Sequence, residues 1–144
     1  MADSKQSAPL ESATIPESML DLLERPLVPH LVTLLPDGTP RTSPAWFSYD
    51  GEFLKFTATT SHIVYTTIAT NPHVAVSIAD PQYGMRYLEI RGVIEKIEPD
   101  PEATLLYAVG KKHNYEFAPQ AVLPAPRVIL WMRPTATTSF NGSK

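Results

Sequence analysis

The chain has 144 residues, 43% of them hydrophobic and 19% charged, with a formal net charge of −3 and no cysteine. That length fits one domain with a core of its own, and the acidic balance argues against a nucleic-acid binder, which would show a basic face. The missing thiols exclude disulfides, thiolate metal sites and cysteine nucleophiles, and no apolar run approaches the ~20 residues of a membrane-spanning helix.

Residues 1–13 are small and polar and read as a loose tail, with the domain over 14–140. Met1 to Ser12 has no apolar stretch of the secretory type, so a cytoplasmic protein is expected. Thr14 and Glu17 have capping-box spacing ahead of Met19, Leu20, Leu22 and Leu23, which predicts a short helix over 16–24. Pro26 and Pro29 then force an extended entry into a first strand. Leu31, Val32, Leu34 and Leu35 place apolar groups on both faces of that strand, so burial on both sides is expected. Asp37-Gly38 and Asp50-Gly51 are turn signals and bracket a second strand over 40–49. Pro44 cannot donate a ladder hydrogen bond, which makes that point an edge, a bulge or a corner. A third strand follows over Phe53–Ala58.

From Thr59 the period changes. Ile63, Val64, Ile68 and Ala69 predict an amphipathic helix over 61–70, capped by Thr60 or Ser61 and stopped by Asn71-Pro72. His73–Ala79 reads as a strand with Val74, Val76 and Ile78 inward, and Met85–Ile97 as a long strand with a bulge at Gly92. Asp100 is placed as the cap of a helix with Leu105, Leu106 and Val109 as its buried stripe. Lys111, Lys112 and His113 lie at its negative end. Residues 114–126 read as a loop and 127–133 as the last strand. The hairpin turns demand antiparallel pairing, and closing six strands into a barrel removes exposed edges.

The chemistry is limited by what is missing. Neither common phosphate loop is present, nor a nucleophile elbow, and the four histidines lack metal-ligand spacing, so no metal site is expected. Asp80 and Glu89 read as solvated surface acids. The positive signal is Thr57, Thr59, Thr60, Ser61 and His62 between a strand end and a helix start, where hydroxyls and free amides attract an anion; plain helix capping is the alternative. Trp46 and Tyr87 are candidates for lining a flat-ring pocket or for ordinary packing. Arg86 and Arg91 read as solvated outer-face charges.

The segment from Val32 to Phe47, with its Pro36-Asp37-Gly38 turn and Pro44-Ala45-Trp46 corner, resembles the opening of the pyridoxamine-phosphate-oxidase-like split-barrel proteins. Met85 to Gly92 resembles the "R-Y-L-E-[VI]-R-G" strand of the subgroup that uses the deazaflavin coenzyme F-420, and Asn71 to Ala75 resembles its "D/N-P-R-V-A" junction. The resemblance implies a mainly β fold: a homodimer of six-stranded antiparallel split barrels with F-420 or FMN held between subunits. Carried over by position, it implies Pro44, Ala45 and Trp46 near the ring, and Thr57, Thr59, Thr60, Ser61, His62 and Thr67 toward the ribityl and phosphate. Met85 and Tyr87 would approach from the partner.

One departure stands out. The family's "R-x-K-x-R-N-L" helix pattern has Val64 where the lysine is usual and Thr66 where an arginine is usual. Each lost cation is worth ~1 kcal/mol or more toward a phosphate in a partly desolvated site. The resemblance implies a flavin- or deazaflavin-dependent oxidoreductase that reduces a conjugated small molecule by hydride transfer. The alternative is a non-catalytic split-barrel protein that has lost its phosphate clamp and binds an apolar or aromatic ligand.

Overall fold

The computed structural model describes residues 12–118 and 126–142. Seven antiparallel strands form one sheet: β1 (His30–Leu34), β2 (Pro40–Pro44), β3 (Phe47–Tyr49), β4 (Leu54–Thr59), β5 (His73–Asp80), β6 (Tyr83–Pro99) and β7 (Arg127–Phe140). Their order in the sheet is β2-β1-β5-β6-β7-β4-β3. The two edges, β2 and β3, are therefore consecutive in the chain, and the sheet curls into a split barrel whose open seam is bridged by Ala45 and Trp46. The expected second strand is thus two strands. Pro44 ends β2, as its missing N–H requires, and the chain crosses from one edge to the other before β3 pairs with β4.

The barrel interior follows from alternation. Val74, Val76 and Ile78 of β5, Leu88 and Ile90 of β6, and Val128, Leu130 and Met132 of β7 all point inward and are buried. They meet Phe47, Leu54 and Phe56 across the lumen. On β1 only Leu31 and Thr33 are buried; Val32 and Leu34 are half-buried beside a shallow apolar hollow, so the expected two-sided burial is incomplete. Gly92 is where β6 shifts register against β7. An added Cβ there would drive into the Arg133 carbonyl oxygen, so only glycine permits the close strand approach. Both β6 and β7 run past their expected limits. Their far ends pair Tyr87 with Phe140 and leave Met85, Tyr83 and Phe140 exposed.

The helices seal the barrel. A 3-10 turn, Glu17–Met19, runs into α1 (Leu20–Glu24) and buries Met19, Leu22 and Leu23. The expected Thr14–Glu17 capping box does not form: Pro16 holds the N-cap position without a side-chain bond. Ser12 and Ala13, assigned to the loose tail, are tied to β7 through the Arg133 guanidinium and the Pro134 carbonyl; residues 1–11 lie outside the described residues.

Asp21 of α1 joins Arg25, Asp80 and Arg86 in an ion-pair network, with Arg86 2.6 Å from Asp21 and 2.8 Å from Asp80. Arg86 and Asp80 therefore depart from the solvated-surface reading. The Arg86 side chain is only 12% exposed and Asp80 is 3% exposed, because α1 packs over the end of β5. Arg91 stays on the outer face, paired with Glu89.

α2 (Ile63–Thr70) lies against β1 and β4 and buries Val64, Thr67 and Ile68. α3 (Thr104–Lys112) buries Leu105, Leu106 and Val109. It starts later than expected. Pro101 and Glu102 form a preceding turn, Ala103 adopts a left-handed conformation at φ 57°, and the Asp100 carboxylate accepts the amides of Thr104 and Leu105. Residues 113–118 leave α3 without regular structure, whereas 119–125 of the expected loop lie outside the described residues.

Candidate functional site

At the seam, a cavity of about 300 Å³ opens between the C-terminal end of β4 and the start of α2. The geometry has a simple origin. β4 ends at Thr59 after delivering Thr57 and Thr59, three turn residues follow, and α2 then turns back across the barrel. Pro44, Ala45 and Trp46 supply the opposite rim, while Leu31, Phe56, Leu106 and Leu130 form the apolar floor. Pro44, Ala45, Trp46, Thr57, Thr59 and His62 thus meet around one cavity, although β2 and β4 are far apart in the sheet.

The remaining candidates take other places. Thr60 and Ser61 are on the turn beside the cavity but not among its lining residues; the Thr60 amide bonds to the Pro126 carbonyl, and the Ser61 hydroxyl lies 3.2 Å from that of Thr59. Thr67 is buried on the inner face of α2, where its hydroxyl donates back to the Ile63 carbonyl at 2.6 Å. Met85 and Tyr87 stand on the far part of β6 and are not among the residues that line this cavity, with Met85 68% exposed.

The N-cap of α2 is His62, not Thr60 or Ser61. Its backbone is extended and its Nδ1 accepts the Val64 amide at 3.2 Å. A ring nitrogen that accepts this bond is unprotonated, and the imidazole satisfies one of the orphan amides of the first helical turn. The His62 amide is itself bonded to the Thr59 carbonyl. Part of the backbone set that a phosphate would use at this helix start is therefore already taken.

Positive charge enters from a residue that the sequence reading left as an ordinary strand start. Arg127 opens β7 directly opposite Thr59 and lines the cavity. Its Nε and Nη2 donate to the Thr57 hydroxyl at 3.3 and 3.1 Å. Burial pulls the guanidinium pKa below its ordinary value, partly opposed by Asp100 nearby, yet arginine keeps its charge in proteins. Among the described residues this half-buried cation has only a hydroxyl as side-chain partner, and it is poised for an anion. The strand pairing that brings Arg127 to Thr57 spans 70 residues of sequence, so no local pattern could have shown it.

Trp46 is the core of an aromatic box. His113 stacks on it face to face at 4.3 Å and 2°, and Tyr115 and Phe117 meet it edge-on at 6.0 and 5.9 Å. The packing fixes the indole as a rigid wall. Burial, with Lys112 beside it, lowers the His113 pKa below the usual 6.5. Lys112 does not simply satisfy its own helix end: its Nζ reaches the carbonyls of Leu23 and Phe47 at 2.9 and 3.3 Å and sits 4.2 Å over the Phe47 ring. α3 is thereby pinned to the rim of the cavity. Two larger surface hollows exist, beside Tyr107–Phe117 and beside Ser12–Ile15, but neither meets a strand end and a helix start together.

The family model for pyridoxamine 5'-phosphate oxidase matches residues 15–141. The chain belongs to that family. Among solved structures, it is similar to an F420 reductase with 44% identity and a TM-score of 0.82, over 86% of this chain and 98% of that one. A conserved hypothetical protein of Mycobacterium tuberculosis shares the fold at 18% identity and a TM-score of 0.71, over 93% of this chain and 90% of that one. So does a Clostridium acetobutylicum protein related to general stress protein 26, at 18% identity and a TM-score of 0.67, over 90% and 93%. No curated protein matches the chain. Membership of the oxidase family, with this similarity, makes the protein a flavin- or deazaflavin-related oxidoreductase at the level of the family.

Proposed function

We propose that this chain binds coenzyme F-420, with FMN as the competing ligand, and uses it to reduce a conjugated small molecule. The observation that carries the proposal is Arg127 beside Thr57 in the seam cavity: it supplies a cation where Val64 and Thr66 supply none. The donor set fits a flavin-type group. An apolar floor and the fixed Trp46 wall suit a flat ring, and Arg127, Thr57 and Thr59 suit its anionic arm. About 300 Å³ is the lower end for a small-molecule pocket, enough for a ring system and the part of the arm that meets Arg127. Bound there, the cofactor supplies the hydride, while the chain orients the ring and excludes water. The similarity to an F420 reductase favours the deazaflavin.

In this reading two copies associate, each bringing Met85 and Tyr87 toward the other's cavity. The exposed apolar side chains of Tyr83, Met85 and Phe140 at one end of the β6–β7 ribbon support such an association. No helix of the described residues is long and apolar enough to cross a membrane, and we place the protein in the cytoplasm. Titrating the pure protein with F-420 and with FMN, followed by absorbance and by quenching of Trp46, tests the proposal. Saturable binding of F-420 in the micromolar range is expected. No binding of either cofactor at high micromolar concentration would end it.

A second reading has one observation in its favour. Val64 is buried in the cavity wall, and the Thr66 hydroxyl is turned back to the Ile63 carbonyl, so α2 offers a phosphate no side-chain cation there. A split barrel that holds an apolar ring without a phosphate would look the same on this side. Binding of a neutral aromatic ligand with no response to F-420 or FMN would select it.

A further inference from the structure

β6 contains one stretch that neither neighbouring strand holds. Its pairing with β5 passes from Ala79–Tyr87 straight to Asp80–Tyr83, and its pairing with β7 starts at Tyr87–Phe140. Gly84, Met85 and Arg86 therefore bulge from the sheet with no register partner on either side among the described residues. Alternation sets Arg86 on the barrel side with the buried Leu88 and Ile90, and turns Met85 and Tyr87 outward, leaving Met85 exposed.

The Arg86 guanidinium does what the ladders do not. Nε donates to Asn141 at 3.1 Å, Nη1 to Asp21 and Asp80 at 3.1 and 2.8 Å, and Nη2 to Asp21 and the Ser18 carbonyl at 2.6 and 2.7 Å. Every N–H group of the side chain is thus engaged. Together they tie the bulge to the 3-10 turn, to α1, to the end of β5 and to the residue after β7. The end of the chain closes in from β7: a Cβ on Gly142 would meet the Phe140 ring and the Met85 Cβ. Net stability does not call for such a device, since a buried ion pair gains little over apolar packing of the same volume. A planar fork with fixed donors does hold one pose of the backbone that carries it. Here that backbone presents Met85 and Tyr87.

Given the association proposed above, on which this rests, we infer that Arg86 is a positioning residue that acts across the dimer. By holding the 84–86 bulge in one pose, it sets Met85 and Tyr87 of one copy against the ring in the other copy's seam cavity.

The chain has four methionines, Met1, Met19, Met85 and Met132, so methyl-labelled methionine in the full chain gives one reporter in the bulge and two in the core, Met19 and Met132. The Met85 methyl, assigned with Met85→Leu, is expected to be ordered without ligand and to shift in nuclear magnetic resonance spectra when F-420 or FMN saturates the protein. Arg86→Lys keeps the charge but not the fork. It is expected to leave the Met19 and Met132 signals in place, to mobilise the Met85 methyl, and to weaken cofactor binding about 3- to 10-fold, the scale of ordering one or two side chains on binding. Asn141→Ala removes only the Nε contact, at an exposed position, and is expected to act in the same direction more weakly; it decides the matter should Arg86→Lys fail to fold. Subunit mixing separates action across the dimer from action within one chain. Arg127→Met lacks the cavity cation and Arg86→Lys lacks the clasp, so a mixed dimer holds one cavity with both intact. Parent-like affinity is expected to return at that site after exchange, and in neither variant alone. A parent protein that binds cofactor with no response at Met85 overturns the proposed association and this role of Arg86 with it. A Met85 response that Arg86→Lys and Asn141→Ala both leave unchanged, or mixed dimers with no restored site, overturns the role of Arg86 alone.

Discussion

Replacing Arg127 with methionine separates the cation from the shape of the cavity. The side chain is half-buried, and among the described residues its hydrogen bonds go to one acceptor, the Thr57 hydroxyl, which has other options in water. Burial already works against its charge. Methionine keeps the apolar stem and fills irregular space, so the fold is expected to lose no more than about 1 kcal/mol. Binding is a different matter. A charge-assisted hydrogen bond in such a site is worth about 1.5–3 kcal/mol, which corresponds to a loss of roughly 10- to 150-fold in affinity. The dissociation constants for F-420 and FMN should rise by that factor in Arg127→Met, and their salt dependence should flatten. Thr57→Val keeps the charge but frees its orientation and should cost less, about 3- to 10-fold by the loss of a neutral hydrogen bond. Fluorescence titration at two ionic strengths measures both. If Arg127→Met binds within threefold of the parent protein while melting normally, Arg127 is not the phosphate-side cation and the proposed arrangement fails.

Three other expectations concern the scaffold. The Gln82 amide, then Arg25 and Arg86, hold the Asp80 carboxyl down to about 2 against an ordinary 3.8. A depressed folded pKa stabilises above the unfolded value and is lost as the pH falls through the folded one, so stability should drop between pH 3.8 and about 2 and Asp80→Asn should flatten that limb in acid-unfolding curves. Gly92→Ala should destabilise by about 1–3 kcal/mol, because the added methyl meets the backbone of β7 rather than a side chain that can move; urea denaturation reads it, and a change under about 0.5 kcal/mol would contradict the packing. The Trp46–His113 stack should report the imidazole: in a Trp131→Phe background, Trp46 fluorescence should titrate with a midpoint below 6.5, since burial and Lys112 both disfavour the charged ring. A midpoint at or above 6.5 would mean that His113 is solvated.

The strand pattern was legible because alternation and turn chemistry are local. Asp37-Gly38 and Asp50-Gly51 announce their turns by glycines at positive φ, and Val74, Val76 and Ile78 announce an inward face. The glycine at the β6 bulge was equally visible. What escaped depends on pairs distant in the chain. Arg86 looks like a surface charge until α1 brings Asp21 to it across 65 residues. Lys112 looks like a helix-end cation until the fold sets two carbonyls from other elements within its reach. Arg127 reads as a strand start until β4 lies beside β7. The cap of α2 failed for another reason: three adjacent residues, Thr60, Ser61 and His62, can all accept an amide, and sequence preference alone favours the hydroxyls over the imidazole that does it.

The position of the cavity follows from the topology rather than from any one side chain. A sheet with seven strands has two edges, and here those edges are successive in the chain. The link between them has only Ala45 and Trp46 to cross the seam, with the Ala45 amide still held by the Pro29 carbonyl. A link that short cannot fill the gap it spans, so space remains beneath it, and the elements that border the seam must line that space. Those elements are the end of β4, the start of β7 and the N-terminal turn of α2. They bring hydroxyls, a guanidinium and a helix start to one place. Closing the seam with a continuous β2–β3 strand would remove the cavity and leave Arg127 buried against hydroxyls alone. The proline that prevents that closure, Pro44, thus acts on the site from its rim. Pro44→Val, which restores a donor and a good strand former, is expected to lengthen β2 toward Trp46, to leave the melting temperature unchanged or raised, and to weaken F-420 and FMN together. Equal affinity for both cofactors in Pro44→Val and the parent protein would show that the cavity does not owe its opening to the break in that strand.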